Sequence, residues 1–411
     1  MTLPFGTRVM DRLDTLAGFT DEPGRLTRLY LSPAHKAAAL QVRQWMAEAG
    51  MAAAIDAIGN VAGRYEAAEP GRPALLLGSH IDTVRDAGRY DGNLGVVAAI
   101  EAVAELHRRG ERLPYVIEVI AFGDEEGVRF PTTLSGSRAI AGTFDPASLA
   151  SRDAEGTSLE QALRSFGGDP AAIPALARRR ERVLGYVELH IEQGPVLESL
   201  NLPVGVVTAI NGASRFTIEV TGTAGHAGTV PMDLRQDALA AAAEMILAVE
   251  RRAKGAEPGL VATVGRIEAR PGAPNVIPGQ VAFTLDVRAP ADQDRHKAVE
   301  DLAAAFATCA ARRRVRMKLD KTYDEPAVTC APWLVGQLAA AVERAGVRPH
   351  LLPSGAGHDG LAMVALCDVA MLFVRCAGGI SHNPAEAITA EDADVAVAVL
   401  LDFLRRLALP A

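Results

Sequence analysis

Cysteine is scarce in this chain. Only Cys309, Cys330, Cys367 and Cys376 occur among 411 residues, with no CxxC spacing. That excludes a disulfide-stapled scaffold and suits a reducing compartment, so the expected location is cytoplasmic. Long apolar runs are also missing: no stretch reaches the roughly 18 apolar residues of a membrane span, and MTLPFGTRVMDRL lacks the basic-then-apolar order of a secretory signal. There is no dense Lys/Arg block, only short Arg clusters, and the net charge is -8. Neither nucleic acid nor an anionic membrane is therefore expected as a partner. Internal repeats and low-complexity tracts are absent too, although Ala139 to Ala177 is rich in small residues and reads as surface helix and loop.

What is present is a globular composition, 49% hydrophobic and 22% charged, with length enough for two domains. Helical patterns alternate with short apolar strands such as ALLLGSH, YVIEVIAFGD and VLGYVELHIE, the rhythm of an α/β domain. The rhythm changes near Asn211. RFTIEVTGTAG reads as a strand and about Leu234 to Arg252 as a helix. VATVGRIEAR and QVAFTLDVRA read as strands, about Asp292 to Ala311 as a helix, and VRMKLD as a last strand. The order βαββαβ is a ferredoxin-like split unit. From about Ala327 the α/β pattern returns, with a helix around Trp333 to Ala345 and the strand VAMLFV. The expected division is residues 1–211 and 327–411 for an α/β domain and 212–326 for an inserted one.

The α/β strands end in reactive residues, where open α/β sheets collect ligands. GSHIDTVRDAGRYDG puts His80 at a strand end and Asp91 in a glycine-rich turn. GDEEGVRF sets Glu125 beside Glu126; neighbours in an extended segment face opposite ways, so one can bind a metal while the other acts as general base. YVELHIEQG places Glu188, His190 and Glu192 at spacing two, on one face. GGISHNPAE sets His382 in a turn. Each signal is weak alone. His80, Asp91, Glu126, His190 and His382 together supply three imidazoles and two carboxylates, an inventory for two metals sharing one carboxylate, with room for a water nucleophile.

GSHIDTV with GRYDG, DEEGVRF, ELHIEQGPVLE, GHAGTVPM, NVIPG, SGAGHDG and GGISHNPAE resemble, in order and over almost the full length, the amidohydrolase branch of the dinuclear aminoacylase and carboxypeptidase superfamily. Within it the chain is most similar to allantoate amidohydrolases and N-carbamoyl-L-amino-acid hydrolases. The resemblance implies an exopeptidase-like catalytic domain with a mixed central sheet flanked by helices, plus an inserted dimerisation and lid domain. It implies that Asp91 bridges two divalent ions, with His80 and His190 on one and Glu126 and His382 on the other. Glu125 falls where the family keeps its general base, and Asp82 is expected to orient a ligand. Asn275, Arg288 and His226 are expected to bind substrate, His226 across a dimer interface. Gln193 and His358 are expected as further contacts.

The implied substrate is a small ureido carboxylate. Its carbonyl is a poor electrophile, so it needs a strong nucleophile and oxyanion stabilisation. RLTRLYLSP and ELHIEQGPVLES lean towards allantoate, cleaved to ureidoglycine, ammonia and carbon dioxide. An N-carbamoyl-L-amino acid or ureidoglycolate is the alternative, because Arg375 and Cys376 depart from the family pattern and Arg375, if aimed into the site, could read a further carboxylate. A dinuclear aminoacylase or exopeptidase stands further off, and a non-catalytic binding protein furthest. Manganese is the ion the resemblance favours, while the nitrogen and oxygen donors also accept zinc, cobalt or nickel.

Overall fold

A computed structural model describes residues 4–256 and 258–409. The chain forms two compact units, one comprising the residues up to Thr208, Cys330–Leu352 and those from Ala356 onward, the other Ala209–Thr329 with Pro353–Gly355. The expected breaks after 211 and 326 thus move outward. Ala209 and Ile210 pair antiparallel with Thr329 and Val328, which ties both ends of the insert into the second unit.

In the first unit, a mixed sheet runs in the order Ala52–Ile55, Val61–Tyr65, Val116–Phe122, Ala74–His80, Val183–Ile191, Val369–Val374 and Val204–Ile210. The four central strands are parallel, and the flanking ones antiparallel. Ala74–His80, Val116–Phe122 and Val369–Val374 are buried throughout, which is why they read as unbroken apolar runs rather than alternating ones. Helix Asn93–Arg108 packs against Ala74–His80 and Val183–Ile191. The small-residue segment is less superficial than expected: Leu159, Leu163, Phe166 and Ile173 enter the main core. Because the central strands run the same way, their carboxyl ends share one edge, and His80, His190 and the turns carrying Glu125 and His382 lie there.

A fully buried arginine braces that edge. Arg28, from RLTRLYLSP, donates through Nε to Ile81 O at 2.6 Å, through Nη1 to Leu16 O at 2.6 Å and Phe19 O at 3.1 Å, and through Nη2 to Asn93 Oδ1 at 2.5 Å. Burial lowers its pKa to about 10, which still leaves it charged at neutral pH. One side chain thereby ties the N-terminal helix to the loop after His80 and to the start of helix Asn93–Arg108.

The second unit is an antiparallel sheet in the order Ile267–Arg270, Gln280–Ala289, Gly212–Thr221 and Arg316–Glu325, with Val261–Thr263 also on Gln280–Ala289. This is the ferredoxin-like arrangement with its second strand broken in two, at the point where Arg266 N–H donates to the Thr284 hydroxyl. Phe216, Ile218, Val220, Phe283, Leu285 and Val287 alternate inward into a separate core with helices Ala238–Lys254 and Asp292–Arg313. The first helix starts later than expected because Asp237 caps it, accepting from Leu239 N and Ala240 N. Arg215, Thr217, Thr284, Asp286 and Arg288 alternate onto the opposite, polar face.

Replacing Arg28 with Met takes the donor from buried Ile81 O and from the buried Asn93 side-chain oxygen, and leaves Leu16 O with Phe19 N–H alone. The expected result is a loss of about 2 kcal/mol or more, since each buried group left unsatisfied costs about 1–3 kcal/mol; the shift in denaturation midpoint against the native chain measures it.

Candidate metal centre

The strand Ala74–His80 delivers an imidazole whose Nδ1 lies 3.0 Å from Asp82 O, and Val183–Ile191 delivers one whose Nδ1 lies 2.9 Å from Ile191 O. A ring nitrogen facing a carbonyl must carry the proton, so in the neutral ring each Nε2 presents a lone pair inward. Gly92 N–H points at His190 Nε2, 3.2 Å away, consistent with that tautomer. Both Nε2 atoms converge on Asp91 Oδ1, at 3.4 Å from His80 and 3.1 Å from His190. The other oxygen, Oδ2, lies 3.4 Å from His382 Nε2, which in turn is 3.6 Å from Glu126 Oε2. Asp91 therefore divides its two oxygens between two donor groups.

These spacings fit cations. Two ligand atoms about 2.0–2.2 Å from one ion at near-tetrahedral angles stand roughly 3–3.5 Å apart. His80, Asp91 and His190 form one set, and Asp91, Glu126 and His382 another, with all donor atoms of a set within 4.8 Å of one another. Nitrogen and carboxylate oxygen suit borderline divalent metals, and the clusters are suited to a dinuclear site.

The electrostatics agree. Burial pushes Glu125 well above the usual carboxylate range, reinforced by Glu126, Asp359 and Asp82 and opposed by His80. Burial and Asp91 raise Glu126 to about 7. Burial opposes a charge on His80, yet Glu125, Asp91, Asp82 and Glu126 together outweigh it and hold the ring well above its ordinary value. Such a crowd of buried carboxyls calls for positive charge, which protons or metal ions can supply.

Residues 76–406 match the profile of Peptidase family M20/M25/M40. The chain belongs to this family. It is similar to the probable allantoate deiminase of Oryza sativa subsp. japonica, with 42% identity across 97% of this chain and 88% of that protein. It is also similar to the N-carbamoyl-L-amino acid amidohydrolase of Geobacillus stearothermophilus, with 41% identity across 98% of each. Among solved structures, the hydantoinase/carbamoylase-family amidase of Burkholderia multivorans aligns with a TM-score of 0.92 at 33% identity, covering 97% of both chains.

Within this M20 hydrolase the turn after Val116–Phe122, rather than strand alternation, separates the two glutamates. The strand has ended by Gly123, and Asp124 takes a positive φ of 69°. Thr132 Oγ1 donates to Asp124 Oδ2 at 2.9 Å, and Ser135 Oγ donates to the same oxygen. Glu125 Oε2 then lies 3.8 Å from His80 Nε2 while Glu126 reaches towards His382.

Asp82 meets the cluster through two different groups. Its carbonyl, not its carboxylate, receives the His80 ring, and its carboxylate accepts Glu125 N–H and Glu126 N–H, each at 3.2 Å. It positions the glutamate turn. Gln193, at a positive φ of 57°, donates Nε2–H to Asp91 Oδ2 at 2.7 Å. His358 is buried with its ring centroid 4.5 Å from that of His190 and 5.8 Å from that of Phe373, behind the metal set rather than on an open wall. Glu192 lies outside the cluster, accepting Val196 N–H and Leu197 N–H. Arg375 grips Asp392 through Nε and Nη2 and Asn201 through Nη1, so it braces helix Ala390–Arg406 and is not aimed at the cluster. Cys376 is buried with Sγ 3.6 Å from Gly194 O.

In the second unit, His226 and Asn275 come together: Gly225–His226 pairs with Val276–Ile277, and Ala227 N–H donates to Asn275 O. Gly228 N–H donates to His226 Nδ1 at 3.0 Å, so the neutral ring carries its proton on Nε2, as an exposed donor. Arg288 stands on the polar sheet face.

Two supporting residues, Ser381 and Glu386, were not singled out from sequence, and Glu188 was noted only for its spacing. Ser381 Oγ donates to Asp91 Oδ2 at 2.7 Å. Glu386 Oε1 accepts Tyr90 N–H and Asp91 N–H at 2.8 and 3.1 Å. Glu188 accepts from Ser79 Oγ at 2.9 Å and Gly360 N at 3.3 Å, beneath the cluster. Gly88 makes room for Glu386, since a Cβ there would lie 2.3 Å from it, and Gly92, at φ 66°, leaves space that a Cβ would take 2.5 Å from the His80 ring. The signal available was adjacency: Ser381 abuts His382, and Glu386 closes the same motif.

Ser381→Ala removes one of the two neutral donors fixing Asp91 Oδ2. Metal affinity should fall by about 10-fold or more, the usual cost of losing a group that orients a ligand, as read by chelator competition with the fold monitored by circular dichroism.

Proposed function

We propose that this chain hydrolyses the ureido C–N bond of a small carboxylate, allantoate first, with an N-carbamoyl-L-amino acid or ureidoglycolate as the alternative. The observation that carries the reading is the division of the Asp91 oxygens between two complete donor sets, with Glu125 beside them and outside the second. The names of the rice and Geobacillus relatives support the substrate class.

His80, His190 and Asp91 would hold one ion, and Asp91, Glu126 and His382 the other, with manganese preferred. Bound there, two divalent ions supply Lewis acidity and a nucleophile at neutral pH. Glu125 accepts the proton of the attacking water and returns it to the leaving nitrogen. His226 Nε2–H donates to the carbonyl oxygen as charge builds on it. Arg288 and Asn275 take the substrate carboxylate, Arg288 in bidentate fashion. Asp82 and Gln193 keep the glutamate turn and Asp91 in place. Arg375, held by Asp392 and Asn201, gives no support for a second carboxylate on the substrate.

We also assign the second unit a lid and dimerisation role and the protein a cytoplasmic location. Met232, Leu234 and Leu247 are large apolar side chains exposed on that unit, as a homodimer surface requires. Among the described residues no helix is long and apolar enough to cross a membrane.

The manganese-loaded protein should release ammonia from allantoate faster than from ureidoglycolate or carbamoyl amino acids, and act poorly on N-acetyl amino acids. Product analysis ranks them, and preference for the acetyl compounds would remove the ureido reading. Glu125→Gln should retain both ions yet lose turnover by about 100-fold or more, the scale of general acid–base catalysis; metal loss with activity intact would reverse the roles. Mixing Glu125→Gln with His226→Ala subunits should restore one working site per heterodimer. Mixed dimers without recovery would confine His226 to its own chain.

A further inference from the structure

Asp286 is a buried-edge carboxylate to which the proposed reaction gives no task. It stands two residues before Arg288 on the same face of Gln280–Ala289, directly opposite Arg215 on the neighbouring strand. Its Oδ1 accepts Arg288 Nε–H at 3.0 Å and its Oδ2 accepts Arg288 Nη2–H at 3.1 Å, a side-on bidentate pair. A third bond runs from Arg288 Nη1 to Gly355 O at 2.8 Å. A guanidinium has five N–H donors. Three are taken, which leaves one on Nη1 and one on Nη2, the two terminal nitrogens. A pair of N–H groups on neighbouring nitrogens is what a carboxylate accepts in two parallel bonds.

The surroundings suit a ligand. Arg288 and Asp286 line a cleft of about 570 Å³ with Arg215, Thr217, Thr263 and Thr284. Their side chains are 29% and 26% exposed, open enough to be reached and shielded enough that a charge-assisted bond counts. Arg215 Nε–H also donates to Asp286 Oδ2, at 2.9 Å, and its guanidinium sits 4.8 Å over the Tyr323 ring. Burial would raise the Asp286 carboxyl, but Arg288 and Arg215 outweigh it and hold the group below its ordinary value, so it is ionised at neutral pH.

We propose that Asp286 is the positioning residue for substrate recognition: by gripping the Nε side of Arg288, and with Gly355 O fixing Nη1, it turns the remaining two-donor end of the guanidinium to the cleft as a ready-made receptor for the substrate carboxylate. This rests on the reading of Arg288 as the carboxylate-binding residue. Arginine is long and rotamer-rich, and without this clamp it must be ordered anew each time substrate binds. The gain is preorganisation, so it belongs in KM more than in kcat.

The test uses the manganese-loaded holoenzyme with the ureido acid turned over fastest in the panel above and its carboxamide counterpart, which lacks the charge. D286N should raise KM for the acid by about 10- to 100-fold, the size of one charge-assisted hydrogen-bond pair. It should change kcat far less, leave both ions bound and alter KM for the carboxamide by no more than about 3-fold, within the range of an uninvolved surface change. D286E should recover part of the loss, and if D286N does not fold it carries the test with the same acid-against-amide contrast. In an R288A background D286N should add nothing further, because the residue through which it acts is gone. The proposal is overturned if D286N costs as much in the R288A background as alone, or if acid and carboxamide suffer alike. An R288A variant with unchanged KM would strike earlier, removing the assignment of Arg288 and this inference with it, whereas a D286N without effect beside an impaired R288A removes the inference alone.

Discussion

Everything at the carboxyl edge of the large sheet is organised around one carboxylate facing two ways. Asp91 offers Oδ1 to His80 and His190 and Oδ2 to His382, and it can do so only because its backbone and its second oxygen are both held. Glu386 takes the amide protons of Tyr90 and Asp91, while Ser381 and Gln193 donate to Oδ2. Neutral donors leave the charge of the carboxylate available; an arginine in their place would compete with any cation for it. The choice of serine and glutamine is therefore as consequential as the choice of aspartate.

The same logic explains why histidine and glutamate divide the work. The imidazoles on the strand ends are locked by backbone carbonyls into the tautomer that faces inward, so little ordering remains to be done when an ion arrives. The glutamates sit on a strained turn pinned by Asp82 and Asp124, and there a single residue of separation sends one side chain to His382 and the other to His80. Strand ends carry His80 and His190, and turns carry Asp91, Glu126 and His382 together with Glu125.

Much of this was legible in the sequence because strand ends are easy to find and their polar residues have few structural reasons to be there. His80, Asp91, Glu126, His190 and His382 come from five separate motifs and lie in two adjoining donor groups. What stayed hidden were residues whose partners are remote in sequence. Asp82 looked like a ligand orienter through its side chain, yet the imidazole chose its carbonyl, and nothing in a linear pattern distinguishes the two oxygens. Arg375 looked like a substrate reader until its partner Asp392, on the following helix, accounted for it. Arg28, within the motif that leaned towards allantoate, holds three main-chain carbonyls, so its presence speaks for the fold and does not discriminate between ureido acids.

The pairing of Ala209 and Ile210 with Thr329 and Val328 bears on how such a chain came to carry an insert at all. Because the departing and returning segments are hydrogen-bonded neighbours, the first unit meets the second as a closed loop whose ends are already joined, and the chain-entropy penalty of the long excursion is met inside the insert by its own sheet and core. To the larger unit the excursion is little different from a hairpin. A module attached in this way can change its length, its exposed strands or its polar face while the register of the large sheet stays untouched.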